Sequence, residues 1–271
     1  MTFSTSKALE CAVDAARAAG GLMRREQHAH KIINVESQHD IKIELDVRCQ
    51  ALIQKTLLRA FPQSALLGEE GVAGSADAPF RWVVDPIDGT VNFTYGVPHA
   101  CVSIALQERL EPGLFLTVAG VVYDPFCEEL WTAARGGPAR LNGKIIQVSR
   151  REKLAECMVS IGFAKSPKSL KENLPFFNAL VRRVRKMRMM GSAALALTYV
   201  ASGRFDAYIE AGISLWDIAA GGFILECAGG EFWHRPLPES GQYRMVASNG
   251  LLRGTLERLS RNARASTVKA G

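Results

Sequence analysis

The junction between Arg81-Trp82-Val83-Val84 and Asp85-Pro86-Ile87-Asp88-Gly89-Thr90 constrains this chain more than any other stretch. A short apolar run bounded by a turn reads as a buried strand. Two carboxylates three residues apart at its end can converge on one point. Pro86 fixes its own φ and has no N–H, so the chain can turn there without losing a ladder bond. Gly89 lets the backbone approach a ligand closely. The N–H groups of Gly89, Thr90 and Val91 then face outward at a helix start, where an anion is favoured. Carboxylates beside an anion site make chemical sense when divalent cations lie between them and a phosphate. Thr90 adds a hydroxyl able to orient a water. The ordinary reading of the same residues is an Asp turn with a helix cap, and the other acids decide between the two.

At 271 residues the chain is one large domain or two intimately packed halves, long enough to bury a sizeable core. Hydrophobic content of 48% with 22% charged residues is that of an ordinary soluble globular protein. The cysteines form no C-x-x-C pair and none sits near a His at zinc spacing. They read as reduced thiols. Lys7, Glu10, Asp14 and Arg17 interrupt any signal-like apolar segment, and no run approaches membrane-spanning length, so a cytoplasmic location is expected. The net charge of +6 raises the question of nucleic acid. Its dense run, Arg182, Arg183, Arg185, Lys186 and Arg188, reads first as a solvated helix end leading into a strand, and no nucleic-acid-binding motif accompanies it.

Helical spacing of Leu9, Ala12, Val13, Ala16, Ala19 and Leu22 or Met23 predicts a helix from Ser6 to Gln27, capped by Ser4 or Ser6. The Gly20-Gly21 pair weakens it or lets a neighbour pack closely. Lys31–Val35 reads as a strand. Asp40–Arg59 reads as a second helix whose apolar face is Ile43, Val47, Ala51, Ile53, Leu57 and Leu58. Asp40 and Asp46 lie near its start, where acids suit the macrodipole. Ala65–Gly68 is a short strand that runs into Glu69-Glu70, and residues 72–79 read as a loop or lid. Strands over Ala100–Gln107, Leu114–Tyr123 and Glu129–Ala134, with turns at Gly136-Gly137 and Asn142-Gly143, imply an antiparallel sheet packed on the two helices. Residues 1–148 are then an α+β half.

Residues 149–271 change pattern. Strands at Cys157–Gly162, Val184–Met190, Phe205–Ile209, Gly230–His234 and Tyr243–Ser248 alternate with helices at Glu172–Arg183, Ser192–Ala201 and Leu215–Ala228. The first of these helices shows Leu174, Phe177, Leu180 and Val181 on one face. This is an α/β half with some parallel pairing, and a polar end frays beyond Arg261. Met190-Gly191-Ser192-Ala193-Ala194 is a capped helix start suited to an anion or a hydroxyl-rich ligand. Asp217 opens an apolar helix. Glu210, just past a strand, reads as a surface acid. Glu69, Asp85, Asp88 and Asp217 form an all-oxygen set, with no His or Cys among them, that suits Mg²⁺.

These segments together resemble the inositol monophosphatase family: Gly68-Glu69-Glu70, Asp85–Thr90 with Asn92-Phe93, Gly191-Ser192-Ala193-Ala194, and Trp216-Asp217-Ile218-Ala219-Ala220-Gly221. They stand in that family's order and cover nearly the whole chain. The resemblance implies a layered αβαβα sandwich of the inositol monophosphatase / fructose-1,6-bisphosphatase type, two or three Mg²⁺ ions, lithium sensitivity and a homodimer. It implies metal ligation by Glu69, Asp85, the Ile87 carbonyl, Asp88 and Asp217. Thr90 and Glu69 would orient the attacking water, with Asp46 behind Thr90. The Gly89 and Thr90 amides would hold phosphate. Gly191, Ser192, Ala193 and Glu210, with Asp88 and Asp217, would face the rest of the substrate. Many members carry a lysine five residues before the acid at Asp40 and a Val-Thr pair starting two residues after it; here those places are Val35 and Lys42-Ile43. The expectation is a Mg²⁺-dependent phosphomonoesterase acting on inositol monophosphate or a similar polyol monophosphate. The alternatives are fructose 1,6-bisphosphate, histidinol phosphate or 3′-phosphoadenosine 5′-phosphate as substrate. An alternative of another class is an RNA- or transcription-protein-binding role through the basic surface.

Overall fold

The computed structural model describes residues 4–36, 41–163, 167–238 and 241–259. Helix α1 (Thr5–Glu26) starts on Ser4, whose hydroxyl accepts the Lys7 N–H at 3.4 Å. Its buried side is Ala8, Ala12, Ala15, Ala16, Ala19, Gly20 and Met23, small enough to bring the helix close to its neighbour. At Gly20 a Cβ would stand 2.6 Å from the Tyr123 ring, so this glycine serves close packing. Lys31 closes the far end: Nζ donates to the carbonyls of Glu26, Gln27 and Ala29 at 2.6, 2.9 and 2.8 Å. It thereby satisfies carbonyls that a helix end leaves unpaired.

Strands β1 (Ile33–Glu36) and β2 (Ile41–Ile43) pair antiparallel, and helix α2 (Glu44–Ala60) follows. The predicted helix start at Asp40 is corrected, and Asp40 itself lies outside the described residues. Ile41 and Ile43 are buried with Lys42 between them. That period of two, in β-branched residues, makes a strand. Leu45, Cys49, Ile53 and Leu57 form the buried stripe of α2. Val47 and Ala51, predicted to be inside, are exposed.

The larger sheet contains β3 (Ala65–Gly68), β4 (Gly71–Ala73), β5 (Phe80–Asp88), β6 (Cys101–Glu111), β7 (Leu114–Asp124), β8 (Glu129–Ala134), β9 (Arg140–Leu141) and β10 (Lys144–Ile145). The strand order is β10-β9-β8-β7-β6-β5-β3-β4, antiparallel except between β3 and β5. The start of the predicted 72–79 loop is in fact strand β4, paired with β3. The short helix α3 (Thr90–Thr94) leaves the end of β5.

The smaller sheet contains β11 (Met158–Phe163), β12 (Lys186–Arg188), β13 (Ala207–Ile213), β14 (Glu231–Pro236) and β15 (Tyr243–Ser248), in the order β12-β11-β13-β15-β14. Its first pairings are parallel, as predicted, and the rest antiparallel. Helix α4 (Pro167–Val181) begins before the predicted Glu172. Leu180 is buried, with Phe176 and Ala179 packed beside it, whereas Leu174 and Val181 are exposed. The predicted fraying beyond Arg261 falls outside the described residues. The buried Asp206 carboxylate ties this half together: it accepts Ser149 Oγ at 2.5 Å, Arg151 Nη1 at 2.7 Å and the Met158 N–H at 2.7 Å.

Helices α5 (Ala193–Ala201) and α6 (Leu215–Cys227) lie between the two sheets. Helices α1 and α2 cover the outer face of the larger sheet, while α4 and a helix over residues 253–259 cover that of the smaller one. The result is five layers, α-β-α-β-α. A sandwiched helix is apolar all round, and Ala194, Leu195, Ala196 and Leu197 are all buried. Helix α6 also needs room: a Cβ on Gly120 of β7 would stand 2.9 Å from the Ala220 carbonyl oxygen. Gly120→Val is therefore expected to destabilise the protein by about 1–3 kcal/mol through overpacking, measured as a lower urea midpoint. An unchanged midpoint would show that α6 can lift off the sheet freely.

Candidate active site

Strictly alternating side chains would put Asp85 and Asp88 on opposite faces of β5. The register prevents this. Asp85 is opposite Ser103 and Asp88 opposite Cys101, so β5 takes three steps where β6 takes two. The extra residue is a bulge at Pro86-Ile87, where a missing N–H costs the ladder little. Both carboxylates then turn the same way, toward Asp217 in the first turn of α6. Oxygens of Asp85, Asp88 and Asp217 lie within 4.8 Å of one another.

Each carboxylate is held by the backbone. Asp85 Oδ1 accepts the Ile87 N–H at 3.0 Å, and Asp217 Oδ2 accepts the Ser214 N–H at 2.8 Å. Asp88 accepts Ser192 Oγ at 2.6 Å and the Ala193 and Ala194 N–H groups at 3.2 and 2.7 Å. The start of α5, predicted as a seat for an outside anion or hydroxyl, is thus engaged by the carboxylate of Asp88. Burial pushes the Asp85 carboxyl well up, and the charges of Glu69, Asp88 and Asp217 push it further. Asp217 is raised by burial and then by Asp88. Asp88 is raised by burial against the lowering effect of its hydrogen bonds. These hard oxygen donors fit a divalent cation, which relieves that repulsion. The neighbouring Cys101 thiol, pushed well up by burial, donates to Asp88 at 3.7 Å.

Glu69 and Glu70 occupy the turn between β3 and β4. Gln50, one helical turn beyond Asp46, holds that turn: Oε1 accepts the Glu70 N–H at 2.9 Å and Nε2 donates to the Gly71 carbonyl at 3.2 Å. Lys42 Nζ lies 2.9 Å from Glu70 Oε1 and 3.7 Å from Glu69 Oε1. Gly89 has φ +95°, and a Cβ there would stand 2.9 Å from the His99 carbonyl oxygen, so glycine is required. Thr90 Oγ1 is 2.8 Å from the Ile87 carbonyl oxygen and 3.3 Å from Asp46 Oδ1. Asp46 Oδ2 accepts the Ile43 N–H at 2.9 Å.

Glu69, Asp85, Ile87, Asp88, Gly89, Thr90, Gly191, Ser192, Ala193, Glu210 and Asp217 line one cavity of about 660 Å³. Asp46 is not among its lining residues and meets it through Thr90. Val35 is exposed on β1 and does not line the cavity. Glu210 is corrected: it is neither past its strand nor a surface acid. Strand β13 runs on to Ile213 against β15, so Glu210 is inside the strand. It faces the cavity and accepts the Tyr208 hydroxyl. Three contributors were given no role in the sequence reading, although Asn92 and Lys42 were named there. Tyr208 is two residues from Glu210 on a strand, which alone puts it on the same face. Asn92 Nδ2 donates to the His99 and Met190 carbonyls at 2.9 and 2.8 Å, pinning α3 to the loop before α5. Lys42 reaches the cavity from β2.

Burial raises Asp46 to about 7 from 3.8 and Glu210 to about 7 from 4.5. A carboxyl whose folded pKa exceeds its unfolded one holds its proton better when folded. Stability from these groups is present at low pH and is lost as pH rises through that window. In chelator, Tm is expected to fall between about pH 5 and about pH 7. The fall should shrink in Asp46→Asn and Glu210→Gln. A saturating divalent cation should raise Tm more at the higher pH. Variants whose Tm falls as steeply as the parent's would show that these carboxyls are not raised.

The family model described as the inositol monophosphatase family matches residues 4–266. The chain is 41% identical over 226 residues to "Nus factor SuhB" of Xylella fastidiosa, covering 82% of this chain and 80% of that one. It is 38% identical over 234 residues to "Inositol monophosphatase 1" of Solanum lycopersicum, covering 84% of each. The fold superposes on the crystal structure of the extragenic suppressor protein suhB from Bartonella henselae with TM-score 0.84 and 32% identity, over 93% of this chain and 97% of that one. It superposes on the inositol monophosphatase from Anabaena (Nostoc) sp. PCC 7120 with TM-score 0.79 and 34% identity, over 94% and 95%. With these matches spanning the sheets, the helices and the acidic cavity alike, the chain belongs to the inositol monophosphatase family.

Proposed function

We propose that this protein is a Mg²⁺-dependent phosphomonoesterase that hydrolyses a neutral polyol monophosphate such as inositol monophosphate. The observation that carries the reading is the convergence of Asp85, Asp88 and Asp217 within 4.8 Å, beside the Thr90–Asp46 pair. Two or three ions would be held by those aspartates with Glu69 and the Ile87 carbonyl. Bound Mg²⁺ would supply charge neutralisation for the phosphate and acidify a water. The chain does the rest by positioning. Glu69 and Thr90 orient the attacking water. As the water attacks, its proton moves to Thr90 Oγ1 while the Thr90 hydroxyl proton moves to the ionised Asp46, so the threonine ends as it began; a carboxyl near 7 is matched to that task at neutral pH. The Gly89 and Thr90 amides hold phosphate. Lithium sensitivity, a homodimer and a cytoplasmic location belong to the same reading.

Substrate choice falls to Glu210 opposite the aspartates, in a wall shared with Gly191, Ser192 and Ala193. Tyr208 fixes its carboxylate, which can accept hydrogen bonds from ring hydroxyls. A second phosphate would meet like charge there. Phosphate release from inositol 1-phosphate, fructose 1,6-bisphosphate and a nucleotide bisphosphate tests this. Asp46→Asn and Thr90→Val are each expected to lower kcat by about 100-fold or more in a folded protein. Glu210→Ala should cut the preference for the polyol monophosphate by about tenfold, the worth of one charged hydrogen bond. Turnover that survives Asp46→Asn and Thr90→Val would remove the proton path. Unmoved substrate ratios in Glu210→Ala would remove the inositol assignment and leave the phosphatase standing.

A second reading has its own observation. Arg182, Arg183, Arg185, Lys186 and Arg188 are all exposed around β12, an edge strand of the smaller sheet. Relatives named Nus factor SuhB support an added binding role, with RNA as the polyanion. Binding of single-stranded RNA should weaken steeply with salt and be lost when those five residues become Ala. RNA affinity indifferent to both would refute it.

A further inference from the structure

The acidic cavity is not uniform. Asp85, Asp88 and Asp217 converge within 4.8 Å. Glu69 lines the same cavity outside that trio and carries a cation from the chain itself, Lys42 Nζ at 3.7 Å. Among the described residues lining the cavity, Lys42 supplies the basic side chain. Its placement is built in. Ile41 and Ile43 are buried on either side, so alternation on β2 turns Lys42 the other way, toward the turn of β3 and β4. Pairing with Val35 fixes the register of β2. Asp46 accepts the Ile43 N–H and fixes its end. Glu70 anchors the ammonium at 2.9 Å, and the Lys42 side chain is only 34% exposed.

We propose that Lys42 is a tethered counter-cation at Glu69. It competes with divalent ions for that carboxylate, so that ions load the Asp85–Asp88–Asp217 trio first and the Glu69 side only weakly. The inference rests on the metal-dependent reading above. A divalent ion approaching Glu69 must either displace the ammonium toward Glu70 or share the carboxylate with it. Like charges a few ångströms apart in a partly desolvated cleft repel strongly, while among the described residues no ion pair is formed by Asp85, Asp88 or Asp217. Lys42 is a positioning residue in this scheme: it acts on metal occupancy and need not touch substrate.

The test is direct metal binding to the full chain stripped with chelator. Mg²⁺ and Mn²⁺ are titrated calorimetrically into the parent protein, Lys42→Met, Lys42→Gln and Lys42→Arg. The parent should show a tight and a weak class of sites. In the neutral variants the weak class should tighten by about tenfold or more, as expected when a like charge leaves the site, while the tight class stays put. Lys42→Arg, which keeps the charge, should follow the parent. Two neutral variants are used so that loss of folding in one, seen by circular dichroism, leaves the other to decide. A weak class that is unchanged or weaker in a folded neutral variant overturns the proposal. If the parent takes up no divalent ion at all, the metal-dependent phosphatase reading falls with it. If ions bind and the isotherms overlay, only the role of Lys42 falls.

Discussion

The Asp88 carboxylate, received by Ser192 Oγ and the Ala193 and Ala194 N–H groups, is the contact on which the rest depends. It joins the end of β5 to the start of α5 across more than a hundred residues of sequence. Hydrogen bonds to a buried charge are worth about 1.5–3 kcal/mol each, and the helix start adds its dipole. Asn92 repeats the join from α3 to Met190. One carboxylate therefore both docks the central helix layer on the larger sheet and forms a wall of the cavity. Fold and site share the same atoms.

The same device recurs around the cavity. Asp46 stands in the first turn of α2 and Asp217 in the first turn of α6, each accepting the N–H of the residue before its helix. With Asp88 at α5, three helix starts each carry a carboxylate at or behind the site. Helix N-termini favour negative charge, which offsets part of the cost of burying acids so close together. The raised carboxyls show that the offset is incomplete. The remainder is what a bound cation is suited to supply, and it is the reason an ammonium at Glu69 bears on metal loading.

Much of this architecture is written locally. Ser4 and Ser192 cap their helices, and the strands at Glu129–Ala134 and Tyr243–Ser248 have the expected ends. The acids Glu69, Asp85, Asp88 and Asp217 and the glycine at 89 stand out because a turn beside a buried strand demands those residue types. Such features follow from propensity and hydrogen bonding within a few residues, which any reading of neighbours can detect.

The sequence by itself determined most of the longer strands and helices, the acid inventory and the small-residue helix around Asp217, because each depends on period, capping or side-chain size over one short segment. Tertiary structure alone decided which way those residues point. The bulge that turns Asp85 and Asp88 together exists only in register with Ser103 and Cys101. Glu210 is inside β13 because β15 pairs with residues on either side of it. The buried stripe of α2 runs through Leu45 and Cys49 instead of Val47 because that side meets α1 and the sheet. Lys42 reaches the site because β2 forms where a helix start was expected. In each case the deciding partner lies far along the chain, and pairing and burial against such partners outweigh local preference.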